Sequence, residues 1–199
     1  MIGFANGPVM RVVTTPQAMH DLGRELAQSL RAGDVVVLTG LLGAGKTTLT
    51  RGIGEGLQVR GPVTSPTFVL ARTHPSLVGG PPLVHVDAYR LASSLELDDL
   101  DIDFARSIVI VEWGAGMLDG VADSWLDLTI ERPAGRARSD TAVDPAPVDA
   151  APDDAEPDDA ATDDAPAAKD AAEDADADDE PRIVTITPHG ERWLDVIGE

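Results

Sequence analysis

Gly40-Leu41-Leu42-Gly43-Ala44-Gly45-Lys46-Thr47 fits G-x-x-x-x-G-K-[ST], the pattern of a phosphate-binding loop. Ahead of it runs Val35-Val36-Val37-Leu38-Thr39, an apolar, β-branched stretch that predicts a buried strand. Behind it Leu49, Ile53 and Leu57 recur at helical spacing. The motif therefore has the strand–loop–helix setting its chemistry requires. Glycines let the backbone curl so that successive N–H groups point at a phosphate, and the following helix adds its positive end. Lys46 is placed to reach the β- and γ-phosphates of a nucleotide, and the Thr47 hydroxyl to ligate Mg²⁺. The chain has only two lysines, Lys46 and Lys169, against thirteen arginines. It keeps Lys where a compact ammonium is needed, a place Arg does not fill.

Outward from the loop, strands and helices alternate. Residues 10–14 read as a short strand. Thr15-Pro16 then reads as a helix cap with proline in the first turn, and Met19, Leu22, Leu26 and Leu30 follow at helical spacing, with Gly33 placed to end the helix. Gly52, Gly54 and Gly56 are expected to weaken the helix behind the loop, which should stop near Leu57. Residues 63–70 read as a loop entering a strand, 83–87 as a strand and 91–104 as partly helical. Residues 107–113 give the cleanest buried strand, whereas 125–130 and 182–187 alternate as half-exposed strands do. Trp193, Leu194 and Ile197 suggest a short closing helix or an apolar patch. This order predicts a three-layer α/β fold of the P-loop NTPase type, with a mixed, mostly parallel sheet and a late antiparallel hairpin.

The formal net charge of −20 is concentrated in one place. Residues 139–181 hold seventeen acidic side chains and one basic, and the rest of the chain carries a net charge of only −4. That stretch is almost wholly Asp, Ala, Pro and Glu, too poor in apolar groups to bury a core, and reads as a disordered insertion between the last two strands. The domain reading is thus an ATPase-type domain over 1–138, the insertion over 139–181, and a strand with a short helix over 182–199 completing the domain. A mildly acidic folded part disfavours direct binding of nucleic acid, which needs clustered Lys and Arg. The absence of cysteine excludes disulfides and thiolate metal sites. With no long apolar run and no signal-like start, no membrane role is expected and a cytoplasmic setting is the default.

A phosphate loop needs an acid at the end of a neighbouring strand to order its metal. Two stand ready: Asp87 after Leu83-Val84-His85-Val86, and Glu112 after Ile108-Val109-Ile110-Val111. Ligands of open α/β sheets bind beyond the carboxyl ends of the strands, so either acid can serve if its strand lies beside that of the loop.

The order Gly43-Ala44-Gly45-Lys46-Thr47-Thr48, Ser65-Pro66-Thr67-Phe68, His85-Val86-Asp87-Ala88-Tyr89-Arg90 and Val111-Glu112-Trp113 closely resembles the TsaE family, formerly called the YjeE ATPases. These are bacterial P-loop ATPases needed to make threonylcarbamoyladenosine in tRNA, at the adenosine next to the anticodon. The resemblance implies that Leu42, Gly43, Ala44, Gly45, Lys46, Thr47 and Thr48 cradle the phosphates of ATP. It implies Thr47 and Glu112 as Mg²⁺ ligands, with Asp87 in the same shell, and Lys46, Asp87 and Glu112 as the catalytic group. Ser65 and Thr67 resemble a switch-like loop near the γ-phosphate, and Trp113 resembles the family's tryptophan beside the nucleotide. For His85 an orienting or core role is expected rather than catalysis. The implied partner is the TsaD–TsaB transferase complex, with tRNA reached only through it. Two features depart from the family pattern: Leu41 stands where Asp is frequent, and the acidic insertion is atypical. No arginine finger is evident; Arg51, Arg72, Arg90 and Arg106 are the candidates. A small-molecule kinase and a non-hydrolysing nucleotide sensor are the competing readings.

Overall fold

In a computed structural model of the chain, the described residues are 7–118, 120–133 and 180–193. They carry a seven-stranded sheet in the order β1-β7-β6-β2-β5-β4-β3. In chain order the elements are β1 (Val9–Val13), α1 (Pro16–Ala27), β2 (Val35–Gly40), α2 (Lys46–Gly56), β3 (Ala71–His74), β4 (Leu83–Asp87), α3 (Ser94–Asp98), β5 (Ile108–Glu112), β6 (Trp125–Glu131) and β7 (Arg182–His189). The four central strands, β6, β2, β5 and β4, are mutually parallel. Both edges are antiparallel, with β7 between β6 and β1 on one side and β3 on β4 at the other. The expected mixed sheet and late hairpin are present. Of the acidic insertion read over 139–181, only Glu180 and Pro181 lie within the described residues.

Strands β2, β5 and β4 are buried on both faces, which is why they read as apolar runs, whereas β6 buries only alternate residues. One face carries α1 and α2 over a core that includes Leu26, Leu38, Leu49, Ile53, Ile110 and Leu128. The other face is covered by α3 and irregular chain, with Leu97 and Leu118 packed on Val37, Val86 and Val111. This layer is thinner than the pattern of residues 91–104 suggested: only five residues are α-helical, Leu97 is buried and Leu95 is exposed. Thr15 caps α1, its hydroxyl accepting from the Ala18 amide at 3.0 Å.

Two local expectations are corrected, on the end of α1 and on the glycines of α2, and the loop read over 63–70 does lead into a strand. Helix α1 ends at Ala27, well before Gly33. Gly33 instead takes a φ of +92° in the turn into β2, where its amide donates to the Ser107 carbonyl at 2.9 Å. The stretch 63–70 stays irregular up to β3, with Leu70 at a φ of +63°. The glycines of α2 are contact residues rather than weak points. A Cβ built on Gly52 would overlap the His20 carbonyl, and one on Gly23 would overlap that of Leu49. The two helices meet backbone to backbone, and the sequence accepts a poorer helix former in exchange for that approach. Trp193 is fully buried in the core beneath α1 and α2, on a short 3-10 turn formed by Glu191–Trp193; Leu194 and Ile197 lie outside the described residues.

Candidate nucleotide-binding site

The loop that follows β2 turns on two glycines in the left-handed region, Gly43 at φ +73° and Gly45 at φ +104°. Gly45 also abuts Met19 of α1, whose Cε would lie 3.3 Å from an added Cβ. A side chain at Gly45 would therefore suffer both strain and crowding. Helix α2 begins directly at Lys46, so its free amides and positive end face the loop. Thr50 steadies this first turn by donating to the Lys46 carbonyl at 2.9 Å.

Strand order decides which acid meets the loop. Glu112 ends β5, the strand beside β2, with Leu38 as its register partner. Asp87 ends β4, one strand further out, in register with Glu112. The Thr47 hydroxyl donates to Glu112 Oε1 at 3.2 Å. The buried Asp87 accepts from the Tyr89 amide at 3.1 Å through Oδ1 and thereby starts a 3-10 turn over Ala88–Arg90. His85, on the same face of β4, reaches Glu112 Oε1 at 2.8 Å through Nε2.

Lys46 is buried beneath this group. Its ammonium donates to the carbonyls of Gly40 at 2.9 Å and Leu41 at 3.1 Å. It also lies 3.7 Å from the centroid of the Trp113 ring. Burial lowers the Lys46 pKa from its ordinary value, and the charges of Glu112 and Asp87 oppose that shift. Trp113 is brought there by its backbone: a φ of +63°, unusual for a bulky residue, turns the chain out of β5, and its amide donates to the Leu38 carbonyl at 3.0 Å. Tyr89 packs edge-on against it, with centroids 5.5 Å apart.

The loop with Ser65 and Thr67 is held by arginines from three elements. Arg51 of α2 donates to the Val63 carbonyl at 3.1 Å, Arg72 of β3 to the Thr64 hydroxyl at 2.8 Å, and Arg90 to the Thr67 carbonyl at 2.6 Å. The Ser65 and Thr67 hydroxyls lie 2.9 Å apart. Sequence reasoning had singled out these arginines as possible fingers; their shared grip on one loop has no sequence signal, because it depends on elements far apart in the chain. Equally unforeseen is a hollow beside the phosphate loop, lined by Thr15, Pro16, Met19, Gly45, Thr48 and Arg182 among others.

The donor set suits a hard cation. A hydroxyl can give its hydrogen to Glu112 and still present a lone pair to a metal. Among the described residues no three His, Asp or Glu side chains form a closed metal cage, and Mg²⁺ needs none, since it is held by one or two protein groups with phosphate oxygens and water.

A family model described as "Threonylcarbamoyl adenosine biosynthesis protein TsaE" matches residues 13–139. The chain belongs to the TsaE family. A "tRNA threonylcarbamoyladenosine biosynthesis protein TsaE" of Streptomyces coelicolor is 49% identical over 178 residues, covering 88% of this chain and 93% of that protein. The TsaE of Mycobacterium leprae is 50% identical over 120 residues, covering 56% of this chain and 74% of that protein. The crystal structure of Bacillus subtilis YdiB has the same fold, with a TM-score of 0.61 at 23% identity, over 95% of this chain and 90% of that one. The span shared with the TsaE model takes in Lys46, Thr47, Asp87, Glu112, Trp113 and the Ser65–Thr67 loop, whereas Arg182 in the lining of the hollow lies beyond it. No helix among the described residues is long and apolar enough to cross a membrane.

Proposed function

We propose that the chain is a Mg²⁺-dependent ATPase that serves threonylcarbamoyl modification of tRNA by acting on a TsaD–TsaB transferase complex. The observation that carries the hydrolytic half is the hydrogen bond from Thr47 to Glu112 directly beside Lys46. The amides of Gly43, Ala44, Gly45 and Lys46 would cradle the β-phosphate, and Lys46 would turn from its loop carbonyls to the β- and γ-phosphates. Thr47 and Glu112 would hold the magnesium ion, which when bound offsets charge between the β- and γ-phosphates. Asp87 lies in register beside Glu112 and is placed to order water in the same shell. The Ser65–Thr67 loop would face the γ-phosphate and orient the attacking water. The adenosine would extend from the phosphate loop past Thr48, along the hollow that Gly43, Ala44 and Gly45 line with Thr15 and Met19.

The partner half rests on what the arginines do. Arg51, Arg72 and Arg90 are engaged with the Ser65–Thr67 loop. Arg106 lies at the amino end of β5, away from the phosphate loop, paired with Asp103. A cation for the transition state is therefore expected from outside, and the partner would supply it. The surroundings suit docking: Phe68 is 95% exposed and Leu42 88%, with Leu41 and Tyr89 also exposed. Such exposed apolar side chains on the loops of the site would offer a contact surface. tRNA would be met only through the complex, since the chain's own charge of −20 repels it, and a cytoplasmic setting goes with that role. Phosphate release from ATP, measured with and without Mg²⁺ and compared with the Lys46→Ala variant, tests the hydrolytic half. A kinase would release ADP only with an added hydroxyl acceptor, and a sensor would bind ATP without cleaving it even beside its partner.

A further inference from the structure

His85 has no part in the scheme above, yet it is bonded to the centre of it. Its side chain is 0% exposed and that of Glu112 4%, with Nε2 and Oε1 2.8 Å apart. A carboxylate oxygen only accepts, so Nε2 carries the hydrogen in this contact. Nδ1 is buried and has no hydrogen-bond partner among the described residues. A second N–H there would be a buried, unpaired donor, which is costly. The surroundings thus select one tautomer, the one that aims a single N–H at Glu112. A histidine kept for packing alone would gain nothing from that aim, and an aliphatic side chain would fill the space without the cost of an unpaired nitrogen.

The same oxygen of Glu112 accepts the Thr47 hydroxyl at 3.2 Å. One donor comes from the phosphate-loop helix and the other from β4, on either side of β5. Together they hold one oxygen of a carboxylate that ends a flexible side chain at the carboxyl end of a central strand. Thr47 must move with whatever the loop binds, whereas His85 stands on a strand buried at every position and moves with nothing.

We propose that His85 is a positioning residue, whose Nε2–H holds the Glu112 carboxylate in the orientation a nucleotide-bound Mg²⁺ requires. This rests on the ATPase reading of the site. Groups that orient a metal-binding side chain are worth roughly 10–100-fold in metal affinity or activity when removed. The role does not involve contact with ATP, so it predicts a particular split. Nucleotide affinity without metal stays the same, and the gain in affinity conferred by Mg²⁺ is lost.

The test uses the full chain and three variants. His85→Leu removes the donor. His85→Gln returns an N–H at about the reach of Nε2, and His85→Asn places its amide short of Glu112. ATP affinity is measured by calorimetry with chelator and with Mg²⁺, alongside kcat and KM. In His85→Leu and His85→Asn the chelator value should stay within about twofold, while the Mg²⁺-dependent gain and kcat fall roughly tenfold or more. His85→Gln should recover most of both. Equal losses in the Gln and Asn variants, or a Mg²⁺ gain that survives in His85→Asn, would overturn the assignment; the Gln and Asn pair also decides it should His85→Leu fail to fold. If the unaltered chain binds ATP with a Mg²⁺ gain but does not hydrolyse it, the ATPase reading fails while the His85 comparison still stands on binding.

Discussion

The Lys46 ammonium sits 3.7 Å from the centroid of the Trp113 indole, while donating to two carbonyls of its own loop. A lysine that turns toward phosphate must leave at least part of this environment. Trp113 fluorescence should therefore change when ATP or ADP is added, and the change should saturate with nucleotide concentration. The other tryptophans, Trp125 and Trp193, lie elsewhere in the fold, so Trp113→Phe should abolish the signal while binding persists by calorimetry.

Lys46→Ala removes the cation proposed to meet the phosphates. The loss of one charge-assisted hydrogen bond is about 2 kcal/mol, or roughly thirtyfold in affinity. Isothermal titration with ATP checks this. The lowered Lys46 pKa adds a pH dependence. A base whose pKa is lowered by burial gives up its proton earlier as pH rises, and only the protonated form attracts phosphate. ATP affinity should fall on the alkaline side, beginning below the ordinary lysine value of 10.5. Affinity that holds flat across that range would contradict it.

Glu112→Gln keeps the size of the side chain and the means to meet Thr47. Binding of ATP without metal should survive, the gain in affinity conferred by Mg²⁺ should be lost, and turnover should drop at least tenfold. Phosphate release under saturating ATP is the measurement.

Much of this was legible in the sequence because it is local. The phosphate loop, the Thr15 cap and strands β2, β4 and β5 are written in contiguous patterns of glycine, hydroxyl and β-branched residues. The site acids were legible as strand-end residues, but the choice between Asp87 and Glu112 for contact with Thr47 depends on strand order, which no local pattern encodes. The glycines of α2 misled for the same reason. Propensity marks them as weak, and only close packing explains them, of α1 against Gly52 and Gly56 and of Val63 and Val59 against Gly54. Arg51, Arg72 and Arg90 were visible as cations and invisible as a joint clamp on one loop.

The contact between α1 and α2 gives a stability prediction. Gly52→Ala places a methyl group against the His20 backbone carbonyl, which no rotamer change relieves. Overpacking of this kind costs about 3 kcal/mol. Urea melts should show the loss, and Gly61→Ala, where an added Cβ meets nothing within 4 Å but φ is +78°, should cost less.

Arg192 forms a two-pronged ion pair with Asp34, at 3.0 Å through Nε and 3.0 Å through Nη2, and also donates to the Ser29 carbonyl at 2.9 Å. It fastens the turn after β7 to the turn between α1 and β2. Burial nonetheless raises the Asp34 pKa above its usual value, outweighing the backbone bond from Arg31 and the charge of Arg192. Arg192→Met leaves that carboxylate buried and unpaired, at a cost of about 3 kcal/mol near neutral pH. An acid whose folded pKa is raised binds its proton more tightly when folded, so stability falls as pH rises from the unfolded value through the folded one. Losing Arg192 raises the folded pKa further. The deficit of the variant should therefore shrink as pH is lowered from 7 toward 4, and melts across that range would show it.

Arg90→Ala frees one anchor of the Ser65–Thr67 loop without touching the phosphate cradle. ATP affinity should change little, and turnover beside the partner should fall by roughly threefold to tenfold, the scale of one solvent-exposed hydrogen bond of about 1 kcal/mol.

The central claim is that this site hydrolyses ATP slowly until a partner completes it. The direct measurement is the rate of ATP hydrolysis by the full chain, alone and with the TsaD–TsaB complex and tRNA. A rate at least tenfold higher with the complex, abolished by Lys46→Ala, is the expected result. Turnover that is equally fast with and without the complex would contradict it.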